Sequence, residues 1–317
     1  MNAADGDQRL LLGIDGGGTS TVACLADAAG QVLGRGTAGA SNPKAIGFEA
    51  AFDALEAATQ AAFDSADRPK VPVEVACLGL AGFAQVEDRR RLDAWSARWG
   101  LCRTLLLVSD GDLVLAAGTP EGWGVAVIAG TGSIAVGADQ AGVTARSGGW
   151  GYLFGDEGSA YHVVLAALRR SARRADAREC SIEGDPLTAA LLTALDVTEP
   201  ADLVSAVYAP MMTRTRIAAL APVVIDAARV DPSIVSDLLE PAGVDLGLMV
   251  AAVARSLGWA GGQLPLALAG GFLLRADPVR RSLLDFLNRQ GYDPEPAVVT
   301  DPVAGAVVLA SRGLAIP

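Results

Sequence analysis

The stretch Leu10-Leu11-Leu12-Gly13-Ile14-Asp15-Gly16-Gly17-Gly18-Thr19-Ser20-Thr21 decides the fold of this chain. A short apolar run ends in one acid, three glycines and three hydroxyls, which predicts a buried strand that enters a tight turn. Glycines let the backbone approach an anion, hydroxyls add donors, and a carboxylate at the strand end can hold hydrated Mg²⁺. The stretch therefore indicates a polyphosphate site, with a ligand-free β-turn as the alternative.

Two other kinds of glycine loop do not fit this stretch. A Walker loop needs a lysine beside its glycines, and Lys44 and Lys70 are the only two lysines of the chain. A dinucleotide fingerprint opens a helix, whereas Gly16, Gly17 and Gly18 are consecutive and residues 21–26 continue with strand-like composition. A strand, a glycine turn and a returning strand remain.

Length, composition and charge narrow the classes of protein to which this chain can belong. The chain has 317 residues, 51% of them hydrophobic, which favours two domains over one. Its formal net charge of −11 argues against nucleic acid or an anionic membrane as a partner. The first seven residues lack the pattern of a secretory leader, and no apolar run reaches the ~18 residues of a membrane span. We therefore expect a soluble, cytoplasmic protein.

Cysteine and histidine usage argues against zinc sites, disulfide frameworks and metal sites built from several histidines. Cys24, Cys77, Cys102 and Cys180 form no Cys-x-x-Cys pair, so neither a zinc site nor a disulfide framework is indicated. His162 is the only histidine, which excludes sites built from several histidines. We expect it to be a packed or surface imidazole.

The first half continues with strands and helices in an order typical of α/β proteins. Strands are predicted at residues 21–27, 31–36, 73–82 and 104–108, and helices at 47–63 and 87–99. The order strand, helix, strand predicts parallel pairing through a crossover. Asp110 follows the last of these strands, at the edge of the sheet where α/β folds place chemistry. The alternative is that Asp110 only caps the helix predicted at residues 113–118.

The second half repeats this pattern. Residues 125–129 read as a strand, Gly130-Thr131-Gly132-Ser133 as a turn and residues 134–137 as a returning strand. A block dense in glycine, aromatic residues and acids follows at residues 147–160 and leads into a helix predicted at 159–173. Further helices are expected from 186 to 258, including one over 235–257, and a strand at 264–269 ends in Gly270 and Gly271. A short strand at 297–299 and a terminal helix after Asp301-Pro302 complete the prediction.

These motifs together resemble the N-acetylglucosamine kinase and BadF-type ATPase family, which belongs to the actin-like sugar-kinase superfamily. The resemblance runs from about residue 10 to residue 312. Its most specific part is Gly148-Gly149-Trp150-Gly151 followed by Gly155-Asp156-Glu157-Gly158-Ser159. The first glycine turn alone would fit many relatives.

The resemblance implies an α/β fold of two ribonuclease-H-like, actin-like ATPase domains with a central cleft. We place these domains at residues 1–116 and 117–317, with a terminal helix at about 302–312 that packs back on the first domain. The resemblance also implies ATP, Mg²⁺ and an amino sugar phosphorylated at its 6-hydroxyl, and we expect a homodimer. The implied phosphate-binding residues are Gly16, Gly17, Gly18, Thr19, Gly130, Thr131, Gly132 and Ser133. Gly270 and Gly271 would line the adenosine pocket, Asp15 would hold Mg²⁺ through water, and Asp110 would be the catalytic base. The implied sugar contacts are Asn42, Thr131, Gly149, Trp150 and Asp156.

Three functions remain open at this point. The first is an amino-sugar kinase, acting on N-acetylglucosamine or alternatively on glucosamine. The second is an ATPase that activates a dehydratase or reductase, but such activators hold an iron–sulfur cluster on paired cysteines, which this sequence lacks. The third is a sugar-responsive regulator, which would append a DNA-binding domain that we do not expect here. No sequence motif indicates which arginine, if any, stabilises the transferred phosphate.

Overall fold

The computed structural model describes residues 9–83, 85–177 and 184–314. These residues form two compact units, one within Met1–Gly122 and Val299–Pro317 and the other within Trp123–Val298. The boundary predicted after residue 116 lies inside a helix of the first unit, Asp110–Gly118. That boundary stays a prediction.

The first unit is built on a five-stranded mixed sheet. Its strands are β1 (Leu10–Gly16), β2 (Thr21–Asp27), β3 (Val32–Ala38), β4 (Val73–Leu80) and β5 (Cys102–Val108), in the spatial order β3-β2-β1-β4-β5. Strands β1, β2 and β3 pair antiparallel, and β1, β4 and β5 pair parallel. The predicted hairpin and the predicted crossover are therefore both present, which confirms the α/β class.

Helices cover both faces of this sheet. The helices are α1 (Pro43–Ile46), α2 (Phe48–Ser65), α3 (Val86–Trp99) and α4 (Asp110–Gly118). Helix α2 buries Leu55 and Phe63 against one face. The backbone of α2 lies so close to β3 that a Cβ on Gly34 or Gly36 would collide with it. Helix α4 covers the other face, where Leu113 is fully buried.

The second unit repeats the connectivity of the first. Its strands are β6 (Gly124–Ala129), β7 (Ser133–Ala138), β8 (Thr144–Gly148), β9 (Gly262–Ala269) and β10 (Tyr292–Val298), in the spatial order β10-β9-β6-β7-β8. Again three strands pair antiparallel and three pair parallel. Strand β8 was not predicted, because its sequence Thr-Ala-Arg-Ser-Gly is short and polar. Strand β10 begins earlier than predicted, since an edge strand tolerates Pro294 and Pro296.

Helices make up most of the rest of the second unit. They are α5 (Ala160–Ala177), α6 (Pro186–Ala194), α7 (Asp202–Val207), α8 (Arg214–Ala218), α9 (Ala221–Ala227), α10 (Glu240–Ser256), α11 (Gly271–Arg275) and α12 (Asp277–Arg289). The single helix predicted over residues 235–257 is a π-helical turn, Val235–Leu239, followed by α10. Pro241 has no backbone N–H and interrupts the regular hydrogen-bond ladder at this junction.

The terminal helix α13 (Val303–Leu314) belongs to the first unit and packs on β1, β4 and α4. Gly13 and Gly305 permit this close packing: a Cβ on Gly13 would lie 2.8 Å from Val307 N, and one on Gly305 would collide with Leu113 O. Cys24 and Cys77 are buried free thiols and Cys102 is half-buried, whereas Cys180 lies outside the described residues. Among the described helices, none is both long and apolar enough to span a bilayer.

Candidate functional site

Three carboxylates of the first unit interact electrostatically near the carboxyl ends of its parallel strands. Asp15 lies on β1, Asp110 follows β5 by two residues, and Asp301 precedes α13. Burial, together with the negative charges of Asp110 and Asp301, raises the pKa of Asp15 to about 6. The site therefore disfavours another negative charge and favours a cation. Sequence reasoning assigned Asp301 only to a helix start, because its effect on Asp15 depends on where α13 packs.

The donor chemistry at Asp15 fits a hydrated Mg²⁺. In the described part of the chain, no three His, Cys, Asp or Glu side chains are close enough to hold a metal ion by themselves. Mg²⁺ does not require such a cage, since it usually keeps several waters and binds one or two carboxylates together with substrate phosphates. Of these three carboxylates, Asp301 already pairs with Arg35, and no ion pair within the described residues involves Asp15 or Asp110.

The first glycine turn (residues 16–19) presents an open backbone. Gly17 N–H donates to Ser20 O at 3.0 Å, and Gly17 O accepts from Ser41 N–H at 3.0 Å. A Cβ on Gly18 would meet no atom within 4 Å, and Thr19 is exposed. Gly16 differs because it is buried, with Ser41 and Leu80 occupying the space of a Cβ. Residues 17–19 are thus accessible to a ligand, whereas Gly16 has a packing role.

Asp110 is not the cap of its helix. Ser109 is the N-cap of α4: its Oγ accepts from Asp112 N–H at 3.2 Å, and the Asp112 carboxylate accepts from Ser109 N–H at 2.9 Å. Asp110 occupies the first helical position with an exposed side chain, and its Oδ1 accepts from Gly111 N–H at 2.9 Å. The capping alternative for Asp110 is therefore wrong, and its carboxylate is available to a substrate.

Asn42 has a capping role that leaves part of its side chain free. It is the N-cap of α1, and its Oδ1 accepts from Lys44 N–H at 3.0 Å. The same oxygen packs against Gly82, whose φ of +89° and lack of a Cβ make this approach possible. The side-chain NH₂ of Asn42 takes no part in the cap and remains a donor.

In the second unit, hydrogen bonds join the glycine turn at residues 130–133 to the glycine-dense block at residues 147–160. Gly130 O, in this second glycine turn, accepts a hydrogen bond from Ala160 N–H at 2.9 Å. Ser133 O accepts from Gly149 N–H at 3.1 Å, and Ser133 Oγ donates to Glu157 O at 2.6 Å. The Gly-Gly-Trp-Gly and Gly-Asp-Glu-Gly-Ser segments are therefore anchored to the second glycine turn.

Asp156 is the most constrained residue of this assembly. It is 4% exposed, has a left-handed φ of +63°, and its Oδ1 accepts from Ser133 N–H at 3.2 Å. Its Oδ2 lies 3.3 Å from Nη2 of Arg214, the first residue of α8. Sequence reasoning missed Arg214, because it lies in a helical region without a motif.

Trp150 is accessible in the same loop. It is 61% exposed, and the guanidinium of Arg146 lies 5.0 Å from the ring centre. Gly149 has a φ of +71°, and Ile134 occupies the space of a Cβ there. The loop thus holds an indole on the surface of the unit, a short distance along the chain from Asp156.

A cavity of about 420 Å³ lies beside the second glycine turn. Gly130 and Thr131 line it together with Gly271, Phe272, Pro222 and Ile225. Gly270 has a φ of +98° and lies against the backbone of Ala129, so that β6 and β9 end side by side. A mostly apolar cavity of this size, lined in part by two residues predicted to bind phosphate, suits a nucleoside. A larger cavity of about 820 Å³, between α10 and α12, contains none of the predicted site residues.

The sequence profile of the BadF/BadG/BcrA/BcrD ATPase family matches residues 12–310. The N-acetyl-D-glucosamine kinase of Dictyostelium discoideum is 30% identical over 319 residues, which cover 96% of this chain and 98% of that protein. The N-acetylmuramic acid/N-acetylglucosamine kinase of Clostridium acetobutylicum is 29% identical over 308 residues, with 95% and 98% covered.

A solved structure supports the same relationship. The crystal structure of a Chromobacterium violaceum protein, named as a candidate N-acetylglucosamine kinase, superposes with a TM-score of 0.72. The two sequences are 31% identical, and the match covers 96% of this chain and all of that one (100%). This likeness extends over both units described above.

Proposed function

The chain belongs to the BadF/BadG/BcrA/BcrD ATPase family, and we propose that it transfers the γ-phosphoryl group of ATP to the 6-hydroxyl of N-acetylglucosamine. The observation that carries this proposal is the cavity beside the second glycine turn. Gly130 and Thr131, predicted to bind phosphate, line the same cavity as Gly271, predicted to line the adenosine pocket. Residues far apart in the sequence thus line one nucleotide-sized space.

Asp15 would hold Mg²⁺ through water, with the exposed residues of the first glycine turn beside it. The cation would offset the negative charge of the phosphates, which is the chemistry that Mg²⁺ supplies in phosphoryl transfer. Burial contributes most to the raised pKa of Asp15, and the negative charges of Asp110 and Asp301 raise it further. These two charges support the role, because they make a cation favourable there. The backbone N–H groups of Gly18, Thr19, Thr131 and Gly132 would bind phosphate oxygens, whereas those of Gly17, Gly130 and Ser133 already donate to acceptors within the protein.

Asp110 would act as the general base. Its carboxylate takes the proton of the sugar 6-hydroxyl while that oxygen bonds to the γ-phosphorus, the bond from phosphorus to the β,γ-bridging oxygen breaks, and ADP leaves. Phosphoryl transfer requires little more than this alignment and charge stabilisation. The support for this assignment is that Ser109 is the N-cap of α4 and that the Asp110 side chain is exposed, with one carboxylate oxygen bonded to Gly111 N–H.

The proposed sugar contacts are Asn42, Thr131, Gly149, Trp150 and Asp156. Asn42 retains a free NH₂ donor, Thr131 and Gly149 lie at the second glycine turn, and Asp156 offers a buried carboxylate. Trp150 provides an exposed apolar surface on which an acetyl methyl group can pack. That surface favours N-acetylglucosamine over glucosamine, the alternative substrate. A homodimer and a cytoplasmic location remain part of the proposal, the second because the cytoplasm supplies ATP.

The test measures ADP release with purified protein, Mg²⁺ and ATP across a panel of sugars. The panel contains N-acetylglucosamine, glucosamine, glucose and N-acetylmuramic acid, the last because the Clostridium relative bears its name. We expect sugar-dependent ADP release that is fastest with N-acetylglucosamine, and a 6-phosphate product by ³¹P NMR. ADP release that no sugar accelerates would instead favour the activator ATPase, and phosphorylation of another hydroxyl would contradict the assignment of the 6-position.

A further inference from the structure

We propose that Arg214 contacts the phosphate chain of ATP at the second glycine turn and supplies the positive charge that phosphoryl transfer requires. This inference rests on the proposed function and deepens it. No motif identifies Arg214, and its position becomes apparent only when α8 is placed against the turn.

The guanidinium of Arg214 lies directly beside the turn. A Cβ on Gly132 would lie 2.5 Å from Arg214 Nη2 and 2.7 Å from Asp156 Oδ1. A glycine at position 132 therefore leaves room for the guanidinium at the backbone predicted to bind phosphate. Thr215, the next residue, lines the nucleotide-sized cavity together with Gly130 and Thr131. Arg214 thus lies beside the turn and is next in the chain to a residue that lines the cavity.

The protein holds this guanidinium in place without satisfying all of its donors. Asp156 Oδ2 lies 3.3 Å from Nη2, and the Tyr152 ring centre lies 5.7 Å from the guanidinium carbon. Nε is buried and has no hydrogen-bond partner among residues 9–83, 85–177 and 184–314. A buried N–H without an acceptor destabilises a fold, so its presence beside a phosphate turn is typical of a group that completes its bonds with a ligand. Asp156 is then a positioning residue for the guanidinium.

Other cationic side chains near the turn are less well placed. Arg275 lines the cavity but is exposed on α11, and Arg146 lies over the Trp150 ring. Neither provides one of the three atoms nearest to a Cβ on Gly132, whereas Arg214 Nη2 is the nearest of all, at 2.5 Å. A guanidinium matches phosphate oxygens with several N–H donors at once, and it stays charged at all working pH values. The geometry therefore selects Arg214.

The experiment compares Arg214→Gln and Arg214→Lys with Arg216→Gln, an exposed arginine on the same helix that serves as the matched control. Calorimetric titrations with Mg²⁺ measure dissociation constants for AMP and for a non-hydrolysable ATP analogue, and initial rates give kcat and the sugar KM. For Arg214→Gln we expect at least 10-fold weaker binding of the ATP analogue with AMP changed less than 3-fold. We expect kcat to fall about 10²–10³-fold with the sugar KM within 3-fold of wild type. Arg214→Lys should lie between, and Arg216→Gln should match wild type.

The titrations separate the possible outcomes. If Arg214 only supported Asp156, the variants would weaken sugar binding and would affect AMP and the ATP analogue equally, which would overturn the proposal. An unchanged preference for the ATP analogue over AMP in both Arg214 variants would also overturn it. Because the titrations need no sugar, a wild-type protein that prefers the ATP analogue but phosphorylates no sugar would contradict the proposed kinase function alone. Arg214→Lys keeps the test valid if Arg214→Gln does not fold.

Discussion

Replacing Asp15 by asparagine should make the ligand-free protein more stable at pH 8. In the folded protein the pKa of Asp15 is raised from 3.8 to about 6, first by burial and then by Asp110 and Asp301. A carboxyl group with a raised folded-state pKa contributes most favourably below pH 3.8, and this contribution is lost as the pH rises through 6. Above pH 6 the ionised carboxylate of Asp15 therefore lowers the free energy of unfolding, and an uncharged asparagine removes this effect.

The size of the effect follows from the pKa difference. The gain in unfolding free energy for Asp15→Asn is at most about 3 kcal/mol at pH 8, where Asp15 is ionised in both states. At pH 5 the folded form is mostly protonated, and the gain decreases to about 1.5 kcal/mol. The gain should therefore shrink by about half between pH 8 and pH 5.

Urea denaturation at pH 5 and pH 8 measures this difference, with Asp53→Asn on the exposed face of α2 as the control. The control should change the unfolding free energy by less than about 0.5 kcal/mol at both pH values. A second readout is thermal stabilisation by Mg²⁺ and ADP, which wild type should show and Asp15→Asn should largely lose. An Asp15→Asn protein that is less stable than wild type at pH 8, or whose gain does not shrink towards pH 5, would refute the electrostatic argument.

Three further outcomes are expected. Asp110→Asn should bind ATP and sugar nearly as wild type does while kcat falls about 10²–10⁴-fold, the usual contribution of a positioned base; near-normal turnover would exclude Asp110 as that base. Gly132→Ala, whose Cβ would lie 2.5 Å from Arg214 Nη2, should lower kcat/KM for ATP at least ~10-fold, whereas Gly39→Ala, in open space on the surface, should not. The ratio of kcat/KM for N-acetylglucosamine to that for glucosamine should be about 10–200, because a lost methyl contact costs ~1–3 kcal/mol; a tenfold preference for glucosamine would overturn that choice of substrate and leave the kinase proposal standing.

Much of the fold follows from local sequence. The apolar run before Asp15 and the glycines after it encode a strand and a turn, since buried strands and glycine turns depend on residues adjacent in the chain. The same holds for β6, the second glycine turn and β7, and both hairpins are present in the structure. Asp110 could be placed at a strand end for the same reason. The ends of helices and strands were less predictable. Pro294 and Pro296 obscured the start of β10, because a strand accepts prolines at the edge of a sheet, where the structure places β10.

Several roles at the site depend on contacts that no local pattern encodes. That Ser109 rather than Asp110 caps α4 depends on which side chain bonds to Asp112 N–H. Asp301 influences Asp15 because α13, from the far end of the chain, packs on the first unit. Hydrogen-bond ladders and hydrophobic periodicity are local, so the sequence by itself determined the two hairpins, the strand-end acids and the glycine turns. The neighbours of those turns, Arg214 beside Gly132 above all, were decided only by tertiary packing, because helix placement depends on the shape and burial of whole apolar surfaces.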